Sequence, residues 1–343
     1  MQQLSANDEQ EWAKRLLKLG FMIQGHLHQY VSKSSDDLAA PVGFEGGDTI
    51  FQIDRHVEPL IESAILDWPD ECKPVVLIAE GMGDDGRQVF GAPQQSARFR
   101  VIIDPIDGTR GLMYDKRSAW FIAAVAEDHG NQTNLGDAFA AVLVELATTK
   151  QGWCDAYSAT RSQSTQGLRT RPGGVSPHEF VPRPSQAVNL KFGFGQVSSF
   201  FPGTQALAAD LTERIARENL GPEIPGQALL FNDQYISSGG QMVELMAGHD
   251  RFCCDLRPLF YRILEKGSEQ IIRGVECHPY DVAGAFVAKR AGVIITDGFG
   301  RPLQCPFDVH TGIHWCGYAN ETLAKAIQPI ITRWLLDHGI VPD

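Results

Sequence analysis

The hexapeptide Asp104-Pro105-Ile106-Asp107-Gly108-Thr109 constrains this chain more than any other segment. It follows residues 98–103 (RFRVII), an apolar run that predicts a buried strand. Two carboxylates three positions apart converge on one point only if the backbone turns. Pro105 fixes one φ angle and Gly108 permits a tight approach, so the segment is suited to such a turn. Hard divalent cations take carboxylate and carbonyl oxygens as ligands, and the hexapeptide therefore predicts a cation site.

Other acidic residues stand at the ends of predicted elements. Glu80 ends an apolar strand at 74–80, Asp54 follows a short apolar run, and Asp281 heads an alanine-rich segment. Several carboxylates delivered in this way can build a site for two ions about 3.5–4 Å apart, which activates water. The alternative for each single acid is a helix cap, a role that Asp107 and Asp281 could fill without any metal.

Composition and charge narrow the class of function. The chain has 42 acidic and 30 basic residues and a net charge of −12, which argues against a nucleic-acid partner. A bound metal ion reverses the local field, so an anionic substrate stays open. Seven cysteines without a CxxC pair argue against disulfides or structural zinc and favour the cytoplasm. No signal peptide is recognised and no apolar run is long enough for a membrane span, so no membrane partner is expected.

Hydrophobic periodicity gives the coarse organisation. Residues 161–186, rich in Ser, Thr, Gly, Pro and Arg, are predicted to be a long loop and a domain boundary. Neither a dinucleotide-binding nor a P-loop glycine motif is present. The predicted helices cover 9–33, 55–66, 203–219, 240–247, 281–291 and 322–338, and the predicted strands cover 74–80, 98–103, 120–126, 137–146, 152–160, 190–197 and 292–297.

The hexapeptide resembles the signature of the inositol monophosphatase and fructose-1,6-bisphosphatase superfamily. The resemblance keeps the family's order over roughly residues 10–335. Where the family usually has Gly-Glu-Glu, this chain has Ala79-Glu80-Gly81, which keeps the first glutamate only. The other matching motifs are the pair Asp48 and Asp54, six apart, and the later run Tyr280-Asp281-Val282-Ala283-Gly284.

The resemblance implies an α+β fold, the layered αβαβα sandwich of the inositol monophosphatase and sugar phosphatase type. It implies an N-terminal α+β half, residues 1–185, that binds metal. A C-terminal α/β half, residues 186–343, is expected to add Asp281 and to bind the substrate. The site is then expected between the two halves.

The resemblance also implies Mg²⁺-dependent hydrolysis of a small phosphomonoester by a metal-activated water, with two or three ions and Mn²⁺ as an alternative. Thr109 and Glu80 are expected to orient and activate the water, and Asp54 to reach a third ion through water. Lithium inhibition and a homodimer are further expectations. The implied metal ligands are Glu80, Asp104, the carbonyl of Ile106, Asp107 and Asp281.

Substrate contacts are expected at two groups of residues. Gly108 and Thr109 would hold the phosphate through N–H groups, and Arg110 either binds a second phosphate or pairs with the acids. Gly240, Gln241 and Asp255 match the family's segment that grips the alcohol. An insertion at 256–280 either holds a second phosphate or is a solvated helix, and its basic residues are Arg257, Arg262, Lys266 and Arg273.

Three classes of function follow. The leading hypothesis is a phosphatase for an inositol monophosphate-like substrate. The alternative within the same chemistry is a sugar bisphosphatase or a 3′(2′),5′-bisphosphate nucleotidase, which the basic residues at 110–117 and 257–273 favour slightly. The other classes are a non-catalytic binding or regulatory protein, against which the intact acids argue, and a metal-dependent lyase or pyrophosphatase.

Overall fold

The computed structural model of the protein describes residues 4–31, 41–45, 48–83, 85–92, 96–266 and 274–342. For residues 42–45 and 48–50 it describes the backbone alone. The side chain of Asp48 and the whole of Arg273, both named from the sequence, therefore lie outside what is described.

Helices form where apolar residues recur every three or four positions. The first helix buries Trp12, Leu16, Leu19, Ile23 and Leu27 on one face, as its sequence pattern predicts. The helices are α1 (Ala6–Val31), α2 (Gln52–Arg55), α3 (Glu58–Leu66), α4 (Thr109–Met113), α5 (Gln205–Leu220), α6 (Ser238–Met246), α7 (Arg257–Glu265), α8 (Ala285–Arg290) and α9 (Glu321–Asp337), with short 3₁₀ turns at Asp70–Cys72, Gly130–Gln132 and Leu135–Asp137.

The strands include long, almost fully buried runs in the first half of the chain. They are β1 (Pro41–Glu45), β2 (Asp48–Phe51), β3 (Val75–Ile78), β4 (Arg87–Phe90), β5 (Phe99–Asp107), β6 (Ala119–Glu127), β7 (Ala138–Leu146), β8 (Cys154–Thr160), β9 (Gln166–Arg171), β10 (Val175–Phe180), β11 (Gly193–Val197), β12 (Leu230–Phe231), β13 (Asp250–Asp255), β14 (Ile294–Thr296) and β15 (Trp315–Tyr318).

Two large sheets organise the molecule. The first has the strand order β10-β9-β8-β7-β6-β5-β3-β4, and within it β3 and β5 run parallel while the other neighbours are antiparallel. The second has the order β12-β11-β13-β15-β14, with β11 parallel to both of its neighbours. A separate two-stranded sheet joins β1 and β2.

The sheets and helices stack in five layers. Alternate residues of the central strands face opposite cores: Val101 packs in the same core as α1 and α3, whereas Ile102 packs in the core shared with α6, α8 and the second sheet. On the outer side of the second sheet, α5 contacts β11 and α9 contacts β15. The expected α+β fold, an αβαβα sandwich, is thereby confirmed.

The loop expected over 161–186 is wrong in part, because β9 and β10 lie within it and extend the first sheet at its edge. The burial of β9 alternates weakly and almost every residue of β10 is exposed, so neither strand carries an apolar run to reveal it. The helix expected at 281–291 is shorter than expected, since residues 279–284 form turns and α8 begins at Ala285. The division of the chain near residue 185 stays a prediction.

No helix in the described ranges combines the length and the apolar character needed to cross a membrane.

Candidate metal centre and active site

A bulge at the end of β5 brings two aspartates to the same side of the sheet. Asp104 pairs with Ile122 and Asp107 pairs with Trp120, so β5 advances three residues between these pairs whereas β6 advances only two. Without the extra residue, side chains three positions apart would point to opposite faces. Both carboxylates are buried, and the backbone N–H of Ile106 donates to Asp104 Oδ1 at 2.9 Å.

Parallel pairing places Glu80 next to this pair. Ile78 of β3 is in register with Ile102 of β5. Glu80 lies two residues beyond Ile78, as Asp104 lies two residues beyond Ile102, so the two acids leave the sheet at the same edge. Glu80 lines the same pocket as Asp104, and its negative charge helps to raise the pKa of Asp104.

Asp281 completes the acidic cluster from the second half of the chain. It lies in the turns before α8, where the backbone N–H of His278 donates to its Oδ2 at 2.6 Å. One carboxylate oxygen from each of Asp104, Asp107 and Asp281 lies within 4.8 Å of the others. Three converging carboxylates form a donor set that suits a hard divalent cation.

The electrostatics of the cluster supports the same interpretation. Burial raises the pKa of Asp104 well above its usual range, and the charges of Asp107, Asp281 and Glu80 raise it further. Burial and the charge of Asp281 raise the pKa of Asp107 to about 8, and burial also raises the pKa of Asp281. Because these acids repel one another when ionised, a bound cation would stabilise the charged cluster. The residues present therefore fit a divalent metal ion.

The N-terminus of α6 holds Asp107 in place. Asp107 Oδ2 accepts from Ser237 Oγ at 2.7 Å and from the Gly239 N–H at 2.6 Å, and Oδ1 accepts from the Ser238 N–H at 3.2 Å. Ser237 also caps α6, since its Oγ accepts from the Gly240 N–H. Sequence reasoning missed this anchoring role, although a serine in front of a helical run is a recognisable N-cap signal.

Thr109 and Asp54 form a hydrogen-bonded pair beside the cluster. The Thr109 hydroxyl lies 2.7 Å from the Ile106 carbonyl oxygen and 3.2 Å from Asp54 Oδ1, and it has one proton to donate between them. Asp54 Oδ2 accepts from the Phe51 N–H at the start of α2. Gly108 adopts φ of 99°, a left-handed conformation that favours glycine and turns the chain from β5 into α4.

Most of the residues expected from the sequence line a single pocket. The residues of the expected set on its wall are Asp54, Glu80, Asp104, Ile106, Asp107, Gly108, Thr109, Arg110 and Asp281. The structure does not bring the other three to this wall. A Cβ on Gly240 would lie 2.4 Å from the Tyr235 ring, and Gln241 Nε2 donates to Ser198 Oγ and to the Tyr235 carbonyl inside the core. Asp255 is fully buried and bonds Arg257.

No protein-family model and no curated protein sequence matches this chain. Solved structures match it over nearly its whole length. A fructose-1,6-bisphosphatase from Leishmania major gives a TM-score of 0.66 at 12% identity, covering 97% of this chain and 96% of that one. The extragenic suppressor protein SuhB from Bartonella henselae gives 0.63 at 13% identity, covering 93% and 98%. An IMPase from Thermotoga maritima gives 0.57 at 16% identity, covering 94% and 97%.

The chain has the inositol monophosphatase and fructose-1,6-bisphosphatase superfamily fold. Asp255 itself does not line the pocket, but Arg257, to which it is hydrogen-bonded, does. Arg257 Nε and Nη2 donate to the Asp255 carboxylate at 2.6–3.0 Å, and Nη1 donates to the Val275 carbonyl at 2.9 Å. The insertion at 256–280 is therefore not a wholly solvated helix, since the first turns of α7 are buried.

Two adjacent phenylalanines line the pocket, although the sequence interpretation gave them no role. Phe200 and Phe201 lie three and four residues after the end of β11, and two adjacent aromatic residues shortly after a strand were the available signal. Arg117, by contrast, does not line this pocket, because it pairs with Asp233 at 2.8 Å and covers the Tyr235 ring. Of the three basic residues at 110–117, only Arg110 lines the pocket.

Proposed function

We propose that this protein is a Mg²⁺-dependent phosphatase that hydrolyses a small phosphomonoester with a metal-activated water. The observation that carries the proposal is the convergence of Asp104, Asp107 and Asp281 within 4.8 Å, with the Thr109–Asp54 pair on the same pocket wall. The similar solved structures include a fructose-1,6-bisphosphatase and an IMPase, and their fold supports the same class of reaction.

The proposed ligands are carboxylates and one backbone oxygen. Asp104 and Asp107 come from β5, Glu80 follows β3, and Asp281 comes from the turns before α8. The Ile106 carbonyl is proposed as a further ligand. Two or three Mg²⁺ ions, or Mn²⁺ ions in their place, would lower the pKa of bound water and neutralise charge on the phosphate.

The other residues position water and phosphate. Thr109 is held by its hydroxyl bond to the Ile106 carbonyl, so that its oxygen lone pairs can accept from the attacking water. Glu80 is proposed to take the proton of that water, with Asp54 acting through water. The N–H groups of Gly108 and Thr109 are proposed to hold phosphate oxygens while the water positioned by the Thr109 hydroxyl attacks the phosphorus atom.

Phosphate release from a panel of phosphomonoesters tests the proposal. The panel holds inositol monophosphates, fructose 1,6-bisphosphate, adenosine 3′,5′-bisphosphate and glycerol phosphate, each with Mg²⁺ and with EDTA. We expect release that needs the metal, and a loss of at least about 100-fold in Asp104→Asn. Asp337→Asn, which changes an exposed aspartate bonded to Arg214, serves as the matched control and keeps the wild-type rate. Metal binding with no release of phosphate from any compound contradicts the proposal and favours a non-catalytic binding protein.

Further properties belong to the same proposal. Inhibition by Li⁺ follows from competition at the proposed metal cluster. All seven cysteines are unpaired and buried, which supports the proposed cytoplasmic location. A homodimer is proposed from the resemblance, and size-exclusion chromatography with light scattering tests it by the mass of the species in solution.

A further inference from the structure

One buried tyrosine fixes the segment that leads into α6. Tyr235 is 4% exposed and stands two residues before Ser237, whose hydroxyl donates to Asp107. The next three residues, 236–238, line the pocket that contains the acidic cluster, but Tyr235 does not. Its side chain lies instead beside a second cavity of about 350 Å³, together with Trp120. Tyr235 therefore has no direct contact with the pocket in which the reaction is proposed, and any effect that it has on the reaction is indirect.

The hydroxyl of Tyr235 is bonded to the strand beside Asp107. It accepts a hydrogen bond from Trp120 Nε1 at 2.8 Å and donates to the Ser118 carbonyl at 2.9 Å. Trp120 lies in β6 and is the residue that pairs with Asp107 in the ladder between β5 and β6. Burial raises the pKa of Tyr235, so the hydroxyl keeps its proton and its donor bond at neutral pH. Tyr235 is thereby tied to the strand that pairs with Asp107.

The backbone and the ring of Tyr235 are fixed as well. Its carbonyl oxygen accepts from the Ser237 N–H at 2.9 Å and from Gln241 Nε2 at 3.1 Å. The ring lies so close to α6 that a Cβ on Gly240 would be 2.4 Å from Tyr235 Cε1. The guanidinium carbon of Arg117 lies 3.7 Å from the ring centre. Because the hydroxyl, the ring and the carbonyl are all held, the position of Tyr235 constrains where the first turn of α6 lies.

These contacts form a closed circuit around Asp107. The backbone of Asp107 pairs with Trp120, whose side chain donates to Tyr235. Two residues after Tyr235, Ser237 donates to the Asp107 carboxylate and so closes the circuit. The N–H groups of residues 238 and 239 donate to the same carboxylate. Hydrogen bonds behind a metal ligand orient it and raise the affinity for the metal, so the circuit is placed to affect a bound ion.

We propose that Tyr235 is a positioning residue for the metal centre: its bond to Trp120 sets the position of the α6 N-terminus and thereby the direction of the Asp107 carboxylate. This inference rests on the proposed phosphatase function and adds to it a residue outside the pocket. The alternative is that Tyr235 only stabilises the fold, as a buried and hydrogen-bonded hydroxyl does in general. A purely structural role lowers stability alone, whereas a positioning role also lowers the Mg²⁺ affinity and kcat.

Tyr235→Phe tests the proposal, because it removes the hydroxyl and keeps the ring. The deciding readout is the dissociation constant for Mg²⁺, measured by calorimetry on the folded protein. The second readout is kcat and KM for the best substrate at saturating Mg²⁺. We expect Mg²⁺ to bind about 10-fold more weakly and kcat to fall about 10-fold with KM little changed, since the loss of a hydrogen bond behind a metal ligand typically has effects of this size.

The matched control is Tyr318→Phe. Tyr318 is fully buried too, and its hydroxyl donates to Gln328 of α9 at 2.8 Å, away from the pocket wall. We expect this variant to keep the Mg²⁺ affinity and kcat within about 2-fold of the wild type, because the lost bond is independent of the site. Trp120→Phe removes the proposed bond from its other end and gives the decision should Tyr235→Phe fail to fold. In the double variant Tyr235→Phe/Trp120→Phe the two losses should not add, since both remove the same bond.

The outcomes separate this inference from the proposed function. If Tyr235→Phe and Trp120→Phe lose no more Mg²⁺ affinity and kcat than Tyr318→Phe, the positioning role is overturned and the phosphatase stays in place. Absence of phosphate release by the wild type from every substrate contradicts the phosphatase. In that case the Mg²⁺ dissociation constants alone decide: weaker binding by Tyr235→Phe than by Tyr318→Phe supports the positioning role, and equal binding overturns it. A wild-type protein that binds no Mg²⁺ overturns both.

Discussion

Asp107 shows at the scale of a residue how one side chain combines structure and chemistry. It accepts three hydrogen bonds from residues 237–239, which favour its ionised form, yet burial and the charge of Asp281 raise its pKa from 3.8 to about 8. Burial and the repulsion from Asp281 together outweigh the hydrogen bonds, and a bound cation would favour the ionised form. The hydrogen bonds therefore hold the side chain in the position proposed for a metal ligand.

The first prediction concerns the metal-free protein. Since the pKa of Asp107 is higher in the folded chain than in the unfolded chain, the folded state binds more protons between about pH 4 and pH 8. The free energy of unfolding therefore falls as pH rises through this range. In EDTA we expect the Tm to drop by roughly 5 °C or more from pH 5 to pH 8, and excess Mg²⁺ to remove much of that drop. A Tm in EDTA that is level or rises toward pH 8 contradicts this.

The second prediction concerns the hydroxyl of Thr109. Thr109→Ala removes the group that would position the attacking water, and we expect kcat to fall about 100-fold or more with KM little changed. Thr109→Ser keeps the hydroxyl and should restore most of the rate. Thr149→Ala changes an exposed threonine that bonds Asp115, and it controls for the loss of a hydroxyl elsewhere. Equal loss in the Ala and Ser variants would show that the methyl group, and hence packing, is what matters.

At the scale of elements, the site depends on how α6 meets β5. The N-terminus of α6 approaches so closely that a Cβ on Gly239 would lie 2.8 Å from Ile122 Cδ1 and 3.0 Å from Asp107 Oδ2. Only a glycine allows the helix to donate two backbone N–H groups to one carboxylate at this distance. The bulge in β5 and the approach of α6 together fix the direction of Asp107.

The third prediction follows from that approach. Gly239→Ala should push α6 away from β5, destabilise the protein by about 1–3 kcal/mol and lower both the Mg²⁺-induced rise in Tm and the rate of phosphate release. The matched control is Gly25→Ala inside α1, where the nearest atom to a new Cβ is 3.5 Å away and the stability should stay level or rise. A Gly239→Ala protein with wild-type metal response would show that the close approach is not needed.

The strands that the sequence predicted differ in burial from those that it did not predict. The strands β5, β6 and β7 are buried along almost their whole length, and their apolar runs gave the prediction. Exposed edge strands such as β10 have no such run, and their pairing depends on neighbours that sequence periodicity does not report. The start of α8 was predicted too early for a different reason, because the alanine-rich pattern continues through the turns at 281–284.

At the scale of the whole molecule, the predicted metal ligands were the part of the site most accessible from sequence. The hexapeptide, Glu80 and Asp281 stand at the ends of strong apolar runs, so their convergence could be expected. The other side chains on the pocket wall could not be predicted, because the sequence does not show which side chains face the pocket. Gly240 and Gln241 face the core, while Arg257 reaches the wall because Asp255 holds it there.

The proposed metal centre is built from residues of both halves of the chain. Asp104 and Asp107 belong to the first sheet, and Asp281 reaches the cluster from a turn in the second half of the chain. Because both halves contribute to one cluster, metal binding is coupled to their packing against each other. We therefore expect a bound divalent cation to stabilise the protein as a whole, in proportion to its affinity.

The most direct measurement is made on Asp281→Asn, which removes one charge that the second half contributes. Mg²⁺ binding by calorimetry and phosphate release from the best substrate are measured on this variant and on the wild type, with circular dichroism to confirm that both are folded. We expect a folded Asp281→Asn protein to lose metal affinity by at least about 10-fold and phosphate release by at least about 100-fold. A folded variant that keeps both would contradict the assignment of this cluster as the metal centre of a phosphatase.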